Sequence, residues 1–423
     1  MSNQTTPSDG GFTVTPRMRQ LYERPGYLGT DDGGQELRDL YQLHSADFDA
    51  TRLNHFALSC FFGCLDRVKH MIATGQAPPL NGTETPFKFG YATLVVAGCQ
   101  RVLEGPTGSG KFAETLKFLL SKGCPPDVED ICQYTALHHA TMNNNIRPDL
   151  ARILLENGSN VNHLNKYGAP AIVGALMEGH VGAVDVLMEF GADLNIADAD
   201  GFVPAEAFVT FGPQVTAVVT KWLRKRSGEQ APLDEKKCDF CGKTDDKLKL
   251  CVACHSARYC SRECQKSHWK VHKPACKPFT PSNTVTLKPS YHGTAHMMPT
   301  ATLNRQLLGI QADSPSPRQM RGSRQASTYP KSVIVKIQVP YALGASLEYQ
   351  RSSFSSMPLL VYTKKRDFVC QIRREDDAAA YDRVTRIVKE KGVGSAKGYF
   401  AAELKSVDEL VVKIGELLAE QPF

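Results

Sequence analysis

"MEGHVGAVDVLMEFGADLNIADADG", from Met177 to Gly201, is the stretch on which the fold turns. It has a partner in "LARILLENGSNVNHLNKYG", from Leu150 to Gly168. Gly158 and Gly191 are 33 residues apart, as are Asn162 and Asn195, and Gly168 and Gly201. A third copy, "FFGCLDRVKHMIATG" from Phe61 to Gly75, sets Gly63 and Gly75 12 apart, the spacing of Gly179 and Gly191. "YTALHHA", from Tyr134 to Ala140, adds a turn and a helix start. A fixed period of this length means a small unit of two short antiparallel helices. One unit cannot bury its apolar faces alone, and stacked copies bury them jointly. The glycines end the second helix of each unit, where a left-handed residue is needed.

These residues resemble the ankyrin repeat, a 33-residue unit with a T-P-L-H-x-A start and a G-A-D-V-N finish. The resemblance covers 50–228 and is clearest over 134–200. It implies about five repeats in a helical solenoid placed at 31–228, the last a degenerate unit from Gly201 to Arg226. Residues 1–30 read as disordered. Stacked repeats of this kind offer a concave surface to protein partners.

"EGPTGSGKFAETLK", from Glu104 to Lys117, raises a competing reading. Gly105, four residues and then Gly110-Lys111 have the spacing of a phosphate-binding loop. Such a loop needs Ser or Thr after the lysine to hold Mg²⁺, and this chain has Phe112. It also needs a preceding strand in a parallel sheet. "LVVAGC" could pass for one, but no alternating series of strands and helices follows. The repeat supplies a better account. Leu94 and Ala97 align with Leu137 and Ala140, and the two alanines are 43 apart, ten more than one period. The glycines then fall between the two helices of one repeat, where an inserted flexible loop is tolerated. No nucleotide is expected. Of the pair His138 and His139, the first sits where this repeat commonly carries histidine, whose ring can fix the turn by bonding to backbone. They are not expected to bind metal or to catalyse.

Of thirteen cysteines, seven fall between Cys238 and Cys276. The N-terminus "MSNQTTPSDGGFTV" has no apolar signal core, so a reducing compartment is expected, cytoplasmic or nuclear. Clustered thiols there suggest metal rather than disulfides. No apolar run approaches the ~18 residues of a spanning helix, and no membrane is expected. The net charge of +6 is mild over 423 residues. It points to neither nucleic acid nor lipid.

"CDFCGKTDDKLKLCVACHSARYCSRECQKSHWKVHKPAC" offers ligands in four pairs: Cys238 with Cys241, Cys251 with Cys254, Cys260 with Cys264, and His272 with Cys276. The first two are C-x2-C knuckles. The last two have x3 spacing, which puts both ligands on one face of a helical turn. Eight ligands suffice for two tetrahedral zinc ions with no cysteine left over. The spacing admits both a sequential and an interleaved pairing. A stretch this short cannot bury a sufficient core. Zinc binding of roughly 10–16 kcal/mol per structural site supplies the stability. With all four positions filled by protein, neither ion has room for water or substrate, so both are structural. His255 and His268 are not expected to be ligands.

From Cys238 to Cys276 the stretch resembles the MYND zinc finger. Tyr259 before Cys260, Gln265 after Cys264 and Trp269 three before His272 match that family beyond the ligands. The resemblance implies interleaved sites: Cys238, Cys241, Cys260 and Cys264 in one; Cys251, Cys254, His272 and Cys276 in the other. A RING-type finger would carry a C-x-H pair mid-sequence and end in C-x2-C, and neither is present. MYND fingers typically bind short proline-containing peptides on a shallow surface, to which the positions of Gln265 and Trp269 contribute. Nine basic residues lie between Lys243 and Lys277. The acidic residues and thiolates, set against two zinc ions, leave the module only weakly positive, so nucleic acid is not the expected partner.

Residues 277–330, rich in Ser, Thr and Pro, read as a disordered linker with "LNRQLLGI" as a short helix. "SPSPRQMRGSR" within it reads as plain polar linker. Over 331–423 a small α+β domain is expected. "SVIVKIQVP", "PLLVYTK", "DFVCQIR" and "KGYFAAEL" are strand-like, with Cys370 in the core. "EDDAAAYDRVTRIVKEKG" is helical. "SVDELVVKIGELLAEQ" reads as a helix opened by a capping box of Ser406 and Glu409, with Leu410, Val411, Ile414, Leu417 and Leu418 on one face. "KGYFAAELKSVDEL" resembles the tails of fungal MYND proteins. The expectation is a non-catalytic adaptor or scaffold similar to ankyrin–MYND proteins, acting in transcription or signalling. A SET-domain lysine methyltransferase is the alternative, but SET sequence should then flank the finger and no N-H-x-C-type motif follows it. A DNA-binding regulator is the other alternative.

Overall fold

The apolar residues that recur along the first half of the chain come together as pairs of short antiparallel helices. The computed structural model describes residues 8–102, 105–142, 145–228, 237–244, 248–292, 328–340 and 357–418. The chain divides into two units, Met1–Ala205 and Glu206–Phe423. In the first, α1 (Pro16–Tyr22) and α2 (Gln35–Ser45) precede the pair α3 (His55–Phe61) and α4 (Leu65–Ala73). A short antiparallel hairpin, β1 (Thr83–Glu84) and β2 (Phe89–Gly90), leads into α5 (Tyr91–Arg101) and α6 (Phe112–Ser121). The pairs α7 (Ala136–Met142) with α8 (Pro148–Glu156), and α9 (Ala171–Glu178) with α10 (Val181–Glu189), follow. The first helices α3, α5, α7 and α9 stack in one row, and α4, α6, α8 and α10 in a second.

Local chemistry sets these elements. The Asn54 side chain caps α3 by accepting from the N–H groups of Phe56 and Ala57. In α8 the apolar Leu150, Ala151, Ile153, Leu154 and Leu155 are buried, while Asp149 and Glu156 stay in solvent. Gly158 and Gly191, 33 apart, follow α8 and α10 with φ of 90° and 94°. That left-handed conformation suits glycine and ends the helix.

The glycine stretch lies between α5 and α6, within one helix pair. Leu94–Cys99, the segment that could pass for the strand of a phosphate loop, is inside α5. The expectation of a flexible loop needs correcting at its C-terminal end. Gly110 donates to the Phe62 carbonyl at 2.9 Å and Lys111 to the Gly63 carbonyl at 3.1 Å. The Lys111 ammonium pairs with Asp66 at 3.0 Å. His138 fixes a turn as expected: Nδ1 faces the Thr135 hydroxyl at 3.1 Å, and Nε2 lies 3.3 Å from the Ala169 carbonyl.

The disorder expected over residues 1–30 does not hold from residue 8 onward. Thr15 caps α1, and Met18 and Leu21 are fully buried. Phe12 stacks on Phe87 with ring centres 4.4 Å apart. From there the N-terminal segment runs along the tips of the loops that join successive helix pairs. Tyr41 donates to Asp130 at 2.6 Å. Leu28 N–H donates to the Lys166 carbonyl at 2.9 Å, and the Lys166 ammonium returns a bond to the Gly26 carbonyl, also at 2.9 Å. Thr30 holds Asp200 through its hydroxyl at 2.7 Å. The apolar residues of α1 and α2 were readable, but their partners lie far along the chain.

The fifth repeat expected over 201–226 does not stay in one unit. The division falls inside α11 (Pro204–Ala207), and α12 (Pro213–Ser227) belongs to the second unit. That unit continues with β3 (Lys249–Leu250), β4 (Arg258–Tyr259) and α13 (Arg262–Ala275). After them come β5 (Thr284–Leu287), β6 (Lys331–Gln338), β7 (Leu359–Thr363), β8 (Val369–Ile372), α14 (Ala378–Lys391), β9 (Lys397–Ser406) and β10 (Glu409–Lys413). Among the described residues, these six strands form one antiparallel sheet in the order β5-β10-β9-β6-β7-β8. One face buries Val335, Val361, Phe400 and Leu410 against Tyr381, Val384 and Val388 of α14. Cys370 is part of this core.

Two expectations for this half are corrected. The linker placed at 277–330 gives up its first part to the sheet, because Thr284–Leu287 pairs with β10. Residues 293–327, with the short helix expected in "LNRQLLGI" and the polar "SPSPRQMRGSR", lie outside the described residues. The helix expected from Ser406 is strand β10 over Glu409–Lys413. Leu410, Val412 and Ile414 alternate into the core, a period of two that fits the same letters as well as a helical face does. The paired valines Val411 and Val412 favour the strand. Ser406 belongs to the β9–β10 turn, where its hydroxyl accepts from Asp408 N–H at 3.3 Å.

Candidate metal centre

The finger is a small hairpin, β3 with β4, followed by α13. Ser261 caps α13 by accepting from Cys264 N–H at 3.2 Å, so the second thiol of that pair rides on the first helical turn. His272 and Cys276 come from the far end of α13 and its C-cap. Cys238–Cys241 and Cys251–Cys254 form tight knuckles. Gly242 N–H donates to the Cys238 carbonyl, and His255 N–H to the Cys251 carbonyl, each at 2.8 Å.

The eight side chains gather in two groups: Cys238, Cys241, Cys260, Cys264, and Cys251, Cys254, His272, Cys276. Within each group the donor atoms lie within 4.8 Å of one another. This is the interleaved grouping. A zinc ion with ~2.3 Å sulfur bonds at the centre of a tetrahedron asks for sulfurs about 3.8 Å apart. Cys241 and Cys264 each stand 3.5 Å from the Cys260 sulfur. The Cys254 sulfur is 3.6 Å from His272 Nε2. The donor sets fit zinc in number, type and spacing, and the finger's cofactor is two structural zinc ions. The two groups differ in exposure. Cys251, Cys254 and His272 are buried, whereas Cys241 is exposed and Cys260 and Cys264 are half-buried.

Electrostatics agree with a cation at each centre. Burial opposes the Cys238 thiolate, but backbone N–H groups of Cys241, Cys260 and Phe240 outweigh it and lower the thiol to about 6. Cys251 is lowered in the same way, burial being outweighed by the N–H groups of Cys254 and Ala253. Cys260, sharing its proton with Cys264 and Cys241, is pushed up to about 12. Cys276 also reaches about 12, through burial and the neighbouring Cys254. One thiolate makes the next harder to form, and a divalent ion at the centre removes that penalty.

Neither decoy histidine joins a group. His268 Nδ1 faces the Tyr259 hydroxyl at 3.1 Å, and the His255 ring packs on Phe279 with centres 4.9 Å apart. Gln265 and Trp269 lie one turn apart on α13, and Trp269 is 41% exposed. Its indole also rests against the His272 ring, with centres 5.9 Å apart. Two residues beyond the finger escaped the sequence reading. Lys413 and Glu416 reach its second knuckle from β10 and the turn after it. The one available signal was a lysine in the apolar run "LVVKIG".

Residues 108–198 match the family model of ankyrin repeats in three copies, and residues 238–276 match that of the MYND finger. Among curated proteins, histone-lysine N-methyltransferase ASHR1 of Arabidopsis thaliana is 50% identical over 46 residues, 11% of this chain and 9% of its own length. E3 ubiquitin-protein ligase KEG of Arabidopsis thaliana is 38% identical over 90 residues, 21% of this chain and 5% of its own. N-lysine methyltransferase SMYD2 of Sus scrofa is 34% identical over 80 residues, 17% of this chain and 18% of its own, in the MYND region. The chain thus spans well under a quarter of the length of each of these relatives. With helix pairs and a two-cluster finger in place where both family models match, residues 108–198 are ankyrin repeats and residues 238–276 a MYND zinc finger.

Proposed function

We propose that the chain is a non-catalytic adaptor whose finger, held by two zinc ions, takes proline-containing peptide segments across Gln265 and Trp269. The observation that carries this is the half-exposed indole of Trp269, fixed one turn from Gln265 on a helix whose far end supplies His272. A rigid indole face suits proline rings, and aromatic anchors carry much of the energy of an interface. The eight ligands are the four of each group. Each ion is then closed by protein, which leaves zinc a structural task and no position for substrate. A SET-type methyltransferase is disfavoured, because the likeness to SMYD2 lies in the finger. The thirteen cysteines, seven of them zinc ligands and none in a disulfide, suit a reducing compartment, cytoplasm or nucleus. No helix among the described residues is long and apolar enough to cross a membrane.

Titration calorimetry with proline-containing peptides tests the reading. Trp269→Ala should weaken binding by about 2 kcal/mol, a typical anchor loss, and Gln265→Ala by about 1 kcal/mol. Zinc content is measured on both variants, since Trp269 also touches His272. Both variants keeping two zinc ions and wild-type affinity would move recognition away from this surface.

A further inference from the structure

The six-stranded sheet that follows the finger carries a lysine in an unusual setting. Lys413 lies on β10, whose neighbour Val412 faces the sheet core, and its side chain is only 1% exposed. A buried ammonium needs partners. It finds the carbonyl of Cys254 at 3.0 Å, the Glu416 carboxylate at 2.9 Å and the Ser256 hydroxyl at 3.4 Å. Ser256 in turn donates to Glu416 at 2.9 Å. Between them, Ala253 accepts at its carbonyl from Phe279 N–H at 3.3 Å. The knuckle of the second cluster is therefore tied at Ala253, Cys254 and Ser256 to residues that follow the finger. The first cluster's knuckle is bonded within the finger itself: Cys238 N–H to the Lys243 carbonyl, and Asp239 N–H to the Arg258 carbonyl.

We propose that the C-terminal sheet is a brace for the second zinc cluster, acting through Lys413, so that the second zinc ion is retained when the first is lost. This rests on the two-zinc reading of the finger. Zinc leaves a closed site only when the protein lets a ligand swing away. At the first cluster Cys241 is exposed and free to do so. At the second, the Cys254 backbone cannot shift without stripping Lys413 of its acceptor in a buried setting, which costs more than the same loss in water, so the sulfur can leave only by rotation of its own side chain. Three thiolates and a neutral imidazole around Zn²⁺ also leave a net negative charge. The ammonium, 3.0 Å from the Cys254 carbonyl and 2.9 Å from Glu416, offsets part of that charge. Lys413 is thus a positioning residue, holding the ligand through its backbone.

The experiment is zinc release from the full chain into excess chelator, followed with a zinc-sensitive dye and by the ring NMR signals of His272. Wild type should release two zinc ions in two equal phases, with the His272 signals changing in the slow one. Lys413→Met should speed the slow phase by about 10- to 100-fold, the usual cost of losing an outer support, and leave the fast phase alone. Lys413→Arg, which keeps charge and donors, should restore much of the difference. Melting of the sheet should be followed on each variant. If Lys413→Met does not fold, Glu416→Gln decides, with a smaller acceleration of the same phase. An unchanged slow phase in a folded Lys413→Met, or in Glu416→Gln where that variant decides, overturns the brace. A wild-type chain that loses both ions in one phase also overturns it, and leaves the two-site reading standing. Fewer than two zinc ions in folded wild type overturns both.

Discussion

Gly98 stands where α5 passes the end of α3, and a Cβ there would lie 1.6 Å from the Phe61 carbonyl oxygen. Backbone cannot yield as a flexible side chain would. Gly98→Ala should therefore destabilise the repeats by about 3 kcal/mol, the upper range for overpacking, read from urea unfolding. His138 makes a different kind of contribution. Burial, followed by the charge of His163, lowers it to about 3. The unfolded chain titrates near ~6.5, so below that pH it binds a proton that the folded chain refuses, and stability falls. Between pH 6.5 and 5 wild type should lose about 2 kcal/mol more than His138→Gln, measured as the difference in urea midpoints. Lys111→Ala should cost at most about 1 kcal/mol, because its pair with Asp66 is exposed. Saturable Mg²⁺-dependent nucleotide binding that vanishes in this variant would revive the phosphate-loop reading.

Among the elements, α13 was the most legible and β10 the least. The x3 spacing of Cys260 with Cys264 and of His272 with Cys276 pointed to a helix, and α13 carries Cys264 and His272 while Cys260 precedes its N-cap and Cys276 is its C-cap. Which pairs share an ion was open from spacing, since the hairpin that crosses the pairs is only two residues a side. In β10 the apolar letters satisfied two periods at once. Only the pairing partners decide: β9, itself strand-like in sequence, adjoins β10, but β5 lies far back in a stretch that read as linker. The same holds for Lys413: nothing near it in sequence tells that its acceptor is the Cys254 carbonyl, 159 residues away. At this scale the finger should fail as a unit. Cys254→Ser or Cys260→Ser should lower zinc content by at least one ion per chain by elemental analysis. The melting transition of the repeat helices should remain, because their core is separate.

For the whole molecule, each of the two units is compact in its own right and poses its own recognition problem. The loop tips of the repeats are already occupied by the chain's own residues 12–41, through Phe87, Asp130, Lys166 and Asp200. That segment is integral to its unit. Met18, Leu21 and Leu37 are fully buried, and each is worth about 2 kcal/mol. Deleting residues 8–53 should lower the melting temperature of the repeats by about 10 °C or more, by circular dichroism. The arrangement also bears on how the chain is born. Thr30 and Asp200 are 170 residues apart. At about 5–20 residues per second, Thr30 leaves the ribosome roughly ten to thirty seconds before Asp200 exists. Throughout that interval the segment carrying Met18, Leu21 and Leu37 has only part of its docking track, which makes this stretch a natural client of whatever chaperone attends the nascent chain.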